Sequence, residues 1–157
     1  MTRVEEAQTT RPTAVFGVGN PWRGDDGAGI EVALRLAASA PAGVRVAPHE
    51  SGDLSGLLDQ WDEHDAVVVV DAASSGATAG SIHRFDAAAA PLPARACRSS
   101  SHAFGVAEVV ELARVLDRLP RTLEVYAIEG ASFASGAGLT REVDGAVGRL
   151  VHELGRR

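Results

Sequence analysis

The feature that most constrains the fold is an uninterrupted apolar run at residues 66–70, Ala-Val-Val-Val-Val, which is followed by Asp71. β-Branched side chains favour extended backbone, and a run without polar alternation is typical of a strand that is covered on both faces. Such cover arises when helices pack on each side of a mostly parallel sheet. The run therefore predicts the central strand of an α/β domain, with Asp71 at its carboxyl end.

An earlier strand leads into a loop that carries two more carboxylates. Residues 14–18 are largely apolar, a Gly/Asn/Pro loop follows, and a 3.6-residue apolar period begins near Ile30. This order predicts strand, loop and helix. It places Asp25 and Asp26 where open α/β sheets bind ligands. Asp26 is a candidate ligand for a cation, whereas we expect Asp25 to be a solvated charge at the helix end.

The remaining periodicities complete the order β-α-β-α-β-β-α-β-α. Further strands are predicted at residues 44–47, 81–85 and 123–128, and helices at residues 28–39, 54–61, 106–116 and 143–154, the last capped by Thr140. The connection before residues 81–85 is shorter than the dozen or so residues that a parallel crossover needs. We therefore predict a three-layer α/β/α sandwich with a mixed, mostly parallel five-stranded sheet and an antiparallel fourth strand.

The composition and net charge indicate which classes of protein this chain resembles. The 157 residues, 45% hydrophobic and 23% charged, fit one domain at residues 13–157 after a flexible N-terminal tail at residues 1–12. A net charge of −6 argues against a nucleic-acid surface, and no apolar run is long enough to cross a membrane. The single cysteine, Cys97, excludes an internal disulfide and favours a reducing cytoplasm.

Asp26, Asp71 and His102 form the candidate site. His102 follows a long loop without periodicity and stands at the start of a predicted helix. Two carboxylates and an imidazole suit a divalent first-row metal such as zinc, nickel or manganese, with positions open for water or substrate. Each residue also has a structural interpretation, because Asp26 can stabilise a helix N-terminus, Asp71 can cap a turn and His102 can begin a helix.

Other chemically capable residues have weaker support. Glu50, after the second strand, is a candidate to orient the site, and Cys97 is expected to be an unreactive loop residue. Trp22 is either a partner contact or packs over the sheet edge. Four histidines have no supporting neighbours in the sequence: His49, His64, His83 and His152.

A nucleotide-binding module is the main alternative. Gly-Val-Gly at residues 17–19 resembles the start of a dinucleotide-binding loop, and Glu50 is a candidate ribose ligand. The third glycine of that motif is absent, and Pro21 and Trp22 occupy the region. The carboxylates at residues 25–26 would also repel a pyrophosphate from the helix N-terminus.

Four short motifs together resemble the hydrogenase maturation endopeptidase family, which processes the large subunit of nickel-iron hydrogenases. They are Gly-Val-Gly-Asn at residues 17–20, Asp-Asp-Gly-Ala-Gly at residues 25–29, Val-Asp-Ala at residues 70–72 and Ser-His at residues 101–102. Their order and spacing are similar to the family's from residue 13 to about residue 154. The resemblance implies a phosphorylase/hydrolase-like fold, again with an antiparallel fourth strand.

The resemblance also implies an activity. It implies a cytoplasmic, monomeric endopeptidase, of aspartic or metal-assisted type, that removes a C-terminal extension from the hydrogenase large-subunit precursor after nickel insertion. Asp26, Asp71 and His102 would contact the nickel carried by the precursor, and Asp26 or Asp71 would act as general base. A nickel-binding assembly chaperone without proteolytic activity and a constitutive zinc peptidase remain alternatives.

Overall fold

The computed structural model describes residues 11–39, 41–50, 54–94, 96–97 and 104–157. The elements occur in the predicted order: β1 (Ala14–Gly19), a 3-10 turn (Gly24–Gly27), α1 (Ala28–Ala38), β2 (Arg45–Glu50), α2 (Leu57–Trp61), β3 (Ala66–Ala73), β4 (Ile82–Asp86), α3 (Val106–Val115), β5 (Thr122–Glu129) and α4 (Arg141–Gly155). Of the predicted N-terminal tail, residues 1–10 lie outside the described part, and Pro12 is buried.

The sheet has the strand order β2-β1-β3-β5-β4. β1 pairs in parallel with β2 and β3, β3 pairs in parallel with β5, and β4 is antiparallel to β5. The predicted antiparallel fourth strand is therefore confirmed. All eight residues of β3 are buried, which confirms the central strand, although β3 continues two residues beyond Asp71.

Helices cover both faces of the sheet, as the unbroken valine run predicts. Val67 and Val69 pack in a cluster with α2 and α3, whereas Val68 and Val70 pack in a second cluster with α1 and α4. Because successive side chains of a strand point to opposite faces, one strand serves both cores. The result is the predicted three-layer α/β/α sandwich.

Two glycines allow α1 to begin directly on the sheet. A Cβ atom at Gly17 would lie 1.9 Å from the Gly29 carbonyl oxygen, and one at Gly29 would lie 2.2 Å from the Val70 carbonyl oxygen. Any larger side chain would push the first turn of α1 away from β1 and β3. The close approach places the loop before α1 at the carboxyl ends of these two strands.

The carboxyl ends of β1 and β3 form the topological switch point of the sheet. The chain leaves β1 towards β2 on one side, and it leaves β3 towards β4 and β5 on the other. Crossovers that diverge in this way leave a crevice between the two strand ends, where α/β proteins bind their ligands. Asp26 follows β1 and Asp71 lies near the end of β3, so both belong to this crevice.

Candidate functional site

Asp26 lies in a turn that the backbone fixes at the crevice. Its N–H donates to the Arg23 carbonyl at 3.1 Å, and its carbonyl accepts from the Asn20 N–H at 3.1 Å. Gly19 has a φ of +150°, and a Cβ atom there would lie 2.0 Å from the Asp26 carbonyl oxygen. The 3-10 turn contacts both β1 and β3, and the Asp26 residue is half-buried.

These close contacts also bear on the nucleotide-binding alternative. The glycines at residues 17–19 serve the chain's own packing, since Gly17 abuts Gly29 and Gly19 abuts the Asp26 carbonyl. In a dinucleotide-binding loop, glycine instead allows the backbone to approach the cofactor's pyrophosphate. The geometry therefore favours a loop that positions Asp26 and argues against a loop that binds phosphate.

Asp71 is the second carboxylate of the predicted site and lies on the neighbouring strand, β3. It follows directly after the last β1–β3 ladder pair, Gly17 with Val70, and its side chain points to the α2/α3 face. The residue is only 6% exposed, and its Oδ1 accepts a hydrogen bond from the Ala72 N–H at 2.8 Å. Asp26 and Asp71 thus occupy adjoining strand ends at one crevice.

The third predicted ligand, His102, lies outside the described residues. Within the described ranges, no three His, Cys, Asp or Glu side chains come together as a metal site. The described chain therefore supplies two members of the predicted set, Asp26 and Asp71, and their metal-binding role stays a prediction.

The expectation that Asp25 is a solvated charge is wrong, because Asp25 is 0% exposed. Its carboxylate accepts hydrogen bonds from the N–H groups of Ala131 at 2.7 Å, Ser132 at 3.0 Å and Thr140 at 2.7 Å. The Thr140 hydroxyl donates to the same carboxylate at 2.9 Å. The sequence could not reveal the burial of Asp25, because the turn directs two adjacent carboxylates into different surroundings.

The electrostatics of Asp25 fit a carboxylate that is ionised at neutral pH. Burial raises the pKa of this carboxyl, but the hydrogen bonds from Thr140, Ser132 and Ala131 outweigh burial and lower the pKa below its ordinary value. Thr140 lies at the N-cap position of α4 as predicted, yet its hydroxyl bonds Asp25 and makes no capping hydrogen bond. Asp25 thereby connects the turn before α1 to the loop before α4.

Another buried carboxylate, Glu129, organises the loop after β3. Its residue is 1% exposed, and it accepts from the Ser75 N–H at 2.7 Å, the Ser75 hydroxyl at 2.8 Å and the Gly76 N–H at 3.1 Å. Nε2 of His83 lies 3.3 Å from Glu129 Oε2. Burial raises the pKa of Glu129, but these hydrogen bonds outweigh burial and lower it.

Sequence reasoning missed the surroundings of two histidines. His83 contacts Glu129, 46 residues later in the chain, and Nδ1 of His49 lies 3.4 Å from Gln60 Nε2. Both histidines therefore have polar neighbours in the fold that they lack in the sequence. Strand register and helix packing create both contacts, and neither leaves a motif in the sequence.

Cys97 has the properties of an unreactive thiol. Burial raises its pKa well above the ordinary value, and the negative charges of Asp71 and Glu108 raise it further. A thiol that stays protonated at neutral pH is a poor nucleophile.

The exposure of the Trp22 side chain decides between the two predictions made for this residue. The residue is 73% exposed, so it does not pack over the sheet edge. Its carbonyl accepts a hydrogen bond from the Gly136 N–H at 2.8 Å, which ties its loop to the loop before α4. An exposed indole on an anchored loop is a candidate partner contact.

The fold and the two carboxylates at the switch point define an α/β protein with an acidic site at the carboxyl edge of its sheet. The family model for HycI, hydrogenase maturation protease, matches residues 53–156. The chain therefore belongs to the hydrogenase maturation protease family, as its motifs predicted. The matched range includes Asp71 and His102, whereas Asp26 precedes it.

Solved structures share the fold over nearly the whole chain. The hydrogenase maturating endopeptidase HybD from E. coli is 22% identical, with a TM-score of 0.76 and coverage of 90% of this chain and 88% of that one. The [NiFe] hydrogenase maturation protease HycI from Thermococcus kodakarensis is 21% identical, with a TM-score of 0.73 and 92% of each chain covered. No curated protein matches by sequence.

In line with the sequence, no helix among the described residues is long and apolar enough to cross a membrane.

Proposed function

We propose that this protein is an endopeptidase that removes a C-terminal extension from the nickel-loaded large-subunit precursor of a nickel-iron hydrogenase. Membership of the family supports the peptidase activity and the precursor as partner. The observation that carries the assignment to particular residues is the pair of carboxylates at the switch point. Asp26 lies in the turn after β1, and Asp71 lies near the end of β3.

Nickel enters this proposal as part of the substrate. Two carboxylate oxygens, from Asp26 and Asp71, and the imidazole of His102 suit a divalent first-row metal. A nickel-loaded precursor offers these three groups a metal to coordinate, whereas a nickel-free precursor does not. Binding energy would therefore be available only for correctly loaded substrate, which makes metal insertion a condition for cleavage.

Hydrolysis needs an activated water and a polarised amide carbonyl. Asp26 or Asp71 would accept the proton of the water as general base, and the precursor's nickel would polarise the carbonyl. The main-chain bonds that fix Asp26 and the Ala72 N–H bond to Asp71 limit the movement of both residues. Positioning of this kind reduces the entropy lost on reaching the transition state.

By resemblance to the family, we place the reaction in the cytoplasm and expect a monomer.

The test is intact-mass spectrometry of a large-subunit precursor from the same organism, incubated with this protein in nickel-loaded and nickel-free forms. Loss of a C-terminal peptide from the loaded form alone is the expected result. Cleavage of both forms would indicate a zinc peptidase without nickel dependence. Binding of the precursor without shortening would indicate an assembly chaperone.

The ligand assignment has its own test in the same assay. We expect His102→Ala and Asp71→Asn to abolish cleavage, because each removes one group that contacts the nickel. His152→Ala is the matched control, since His152 is exposed on α4. Normal cleavage by either site variant would contradict the assignment of that residue.

A further inference from the structure

Asp71 shares one row of the sheet with a second polar residue, His83. Asp71 pairs with Ala127 across β3 and β5, and Ala127 pairs with His83 across β5 and β4. Paired residues point to the same face, so both side chains lie on the α2/α3 side, with the Ala127 methyl group between them in the row. Neighbouring strands are about 4.8 Å apart, which places the Asp71 and His83 backbones about 10 Å from each other.

A pocket of about 220 Å³ opens on this face beside His83. Its lining residues are Ser75, His83, Phe85, Pro93 and Ala96. The residue after Ala96 is Cys97, whose thiol experiences the charge of Asp71. Through His83, the pocket therefore lies in the same row and on the same face of the sheet as Asp71, two strands away.

The polar lining groups are already engaged by Glu129. The Ser75 hydroxyl donates to Glu129 Oε2, and His83 Nε2 contacts the same oxygen. The other described residues of the lining contribute the ring of Phe85, the ring of Pro93 and the methyl group of Ala96. Among the described lining residues, none offers an ionic partner to a charged occupant in exchange for its lost hydration, whereas an apolar occupant needs no such partner.

The volume limits the size of the occupant. A cavity of about 150 Å³ holds a benzene molecule. The larger pocket here accepts one leucine-sized or phenylalanine-sized side chain.

We propose that this pocket binds one aliphatic or aromatic side chain of the precursor close to the bond that is cleaved. An extended peptide advances about 3.4 Å per residue, so the side chain belongs to a residue within about three positions of that bond. The inference rests on the proposed function for the identity of the substrate. The apolar character of the pocket is independent of it.

The first experiment tests the pocket without any cleavage. The full chain, labelled with ¹⁵N, is titrated with N-acetyl-L-leucinamide and, separately, with the amide of N-acetyl-L-aspartate. We expect the leucine compound to shift the backbone resonances of Ser75, His83, Phe85 and Ala96, and the aspartate compound to leave them unchanged. Equal shifts with both compounds, or none with the leucine compound, would overturn the proposal.

The second experiment fills the pocket. Ala96→Phe places a ring in the cavity, whereas Ala94→Phe makes the same change at an exposed position two residues earlier. We expect Ala96→Phe to abolish the leucinamide shifts and to lower kcat/KM for the precursor by roughly tenfold to 100-fold. Ala94→Phe should preserve both, and equal behaviour of the two variants would contradict the pocket.

The third experiment leaves the protease unchanged and therefore does not depend on the folding of a variant. Each of the three precursor residues on either side of the cleaved bond is replaced in turn by Asp and by Leu. One position should accept Leu and reject Asp by at least about tenfold in kcat/KM. Uniform tolerance at all positions would refute the subsite. If the wild-type chain cleaves no precursor, the proposed function fails while the leucinamide titration still decides the pocket.

Discussion

The Asp25 carboxylate and Thr140 are 115 residues apart in the chain, yet the Thr140 N–H and hydroxyl both donate to that carboxylate. This contact joins the turn before α1 to the loop before α4. The next residue, Asp26, belongs to the same turn, so a structural carboxylate and a candidate catalytic one are adjacent in sequence. The two roles can be separated by mutation.

Asp25→Ala should destabilise the protein by about 3 kcal/mol, because it removes a fully buried carboxylate and leaves the N–H groups of Ala131, Ser132 and Thr140 without their acceptor. Asp26→Asn should change the free energy of unfolding by less than about 1 kcal/mol and abolish cleavage. Urea unfolding followed by circular dichroism measures the first effect, and the precursor assay measures the second. Equal destabilisation by both variants would contradict this division of roles.

Asp71→Asn should abolish cleavage while the fold persists, because it removes a candidate general base and metal contact without changing side-chain volume. Val69→Asp, two residues earlier on the same face, should unfold the protein by burying an unpaired charge. Circular dichroism distinguishes the outcomes. A folded Val69→Asp variant would contradict the burial of β3.

Gly29→Ala should impair both stability and cleavage. Its Cβ atom would lie 2.2 Å from the Val70 carbonyl oxygen and 2.4 Å from that of Val18, so α1 must move and carry the Asp26 turn with it. Gly148→Ala is the matched control, because an added Cβ there meets nothing within 4 Å and alanine favours a helix interior by about 1 kcal/mol. We expect a lower midpoint of thermal unfolding for the first variant and a higher one for the second. The opposite ranking would refute the steric argument.

Stability should fall in acid partly through Asp25 and Glu129. Hydrogen bonds lower the pKa of each carboxyl in the folded state below its ordinary value. The unfolded chain therefore takes up protons at these positions first, and the stabilisation they confer is present above about pH 5 and is lost as the pH falls through the folded pKa. Urea midpoints from pH 7 to pH 3 should depend less steeply on pH in Asp25→Asn and Glu129→Gln than in the wild type. An unchanged slope in both variants would exclude this source of acid sensitivity.

Trp22→Ala should weaken precursor binding and leave stability unchanged within about 0.5 kcal/mol, because the side chain is 73% exposed. Exposed tryptophans contribute strongly when a partner buries them, so a rise of about tenfold in KM is expected. Val115→Ala is the control, since Val115 is 82% exposed at the end of α3 far from the crevice. Equal KM values for both variants would show that the Trp22 loop does not contact the precursor.

The order of elements, the antiparallel fourth strand and the central position of β3 could all be predicted from the sequence. These features depend on local periodicity and on connection length, which are properties of neighbouring residues. The placement of Asp26 and Asp71 at strand ends follows from the same patterns. Their common crevice also needs the strand order, which puts β1 beside β3.

The sequence by itself determined the fold class, the family motifs and the residues that reach the carboxyl edge of the sheet. Only the tertiary structure decided that Asp25 is buried, that His83 contacts Glu129, and that an apolar pocket opens beside His83. Those contacts join residues far apart in the chain through strand register and loop packing. Periodicity in the sequence indicates which face of a helix or strand a residue occupies, but it does not indicate which residue of another element lies opposite.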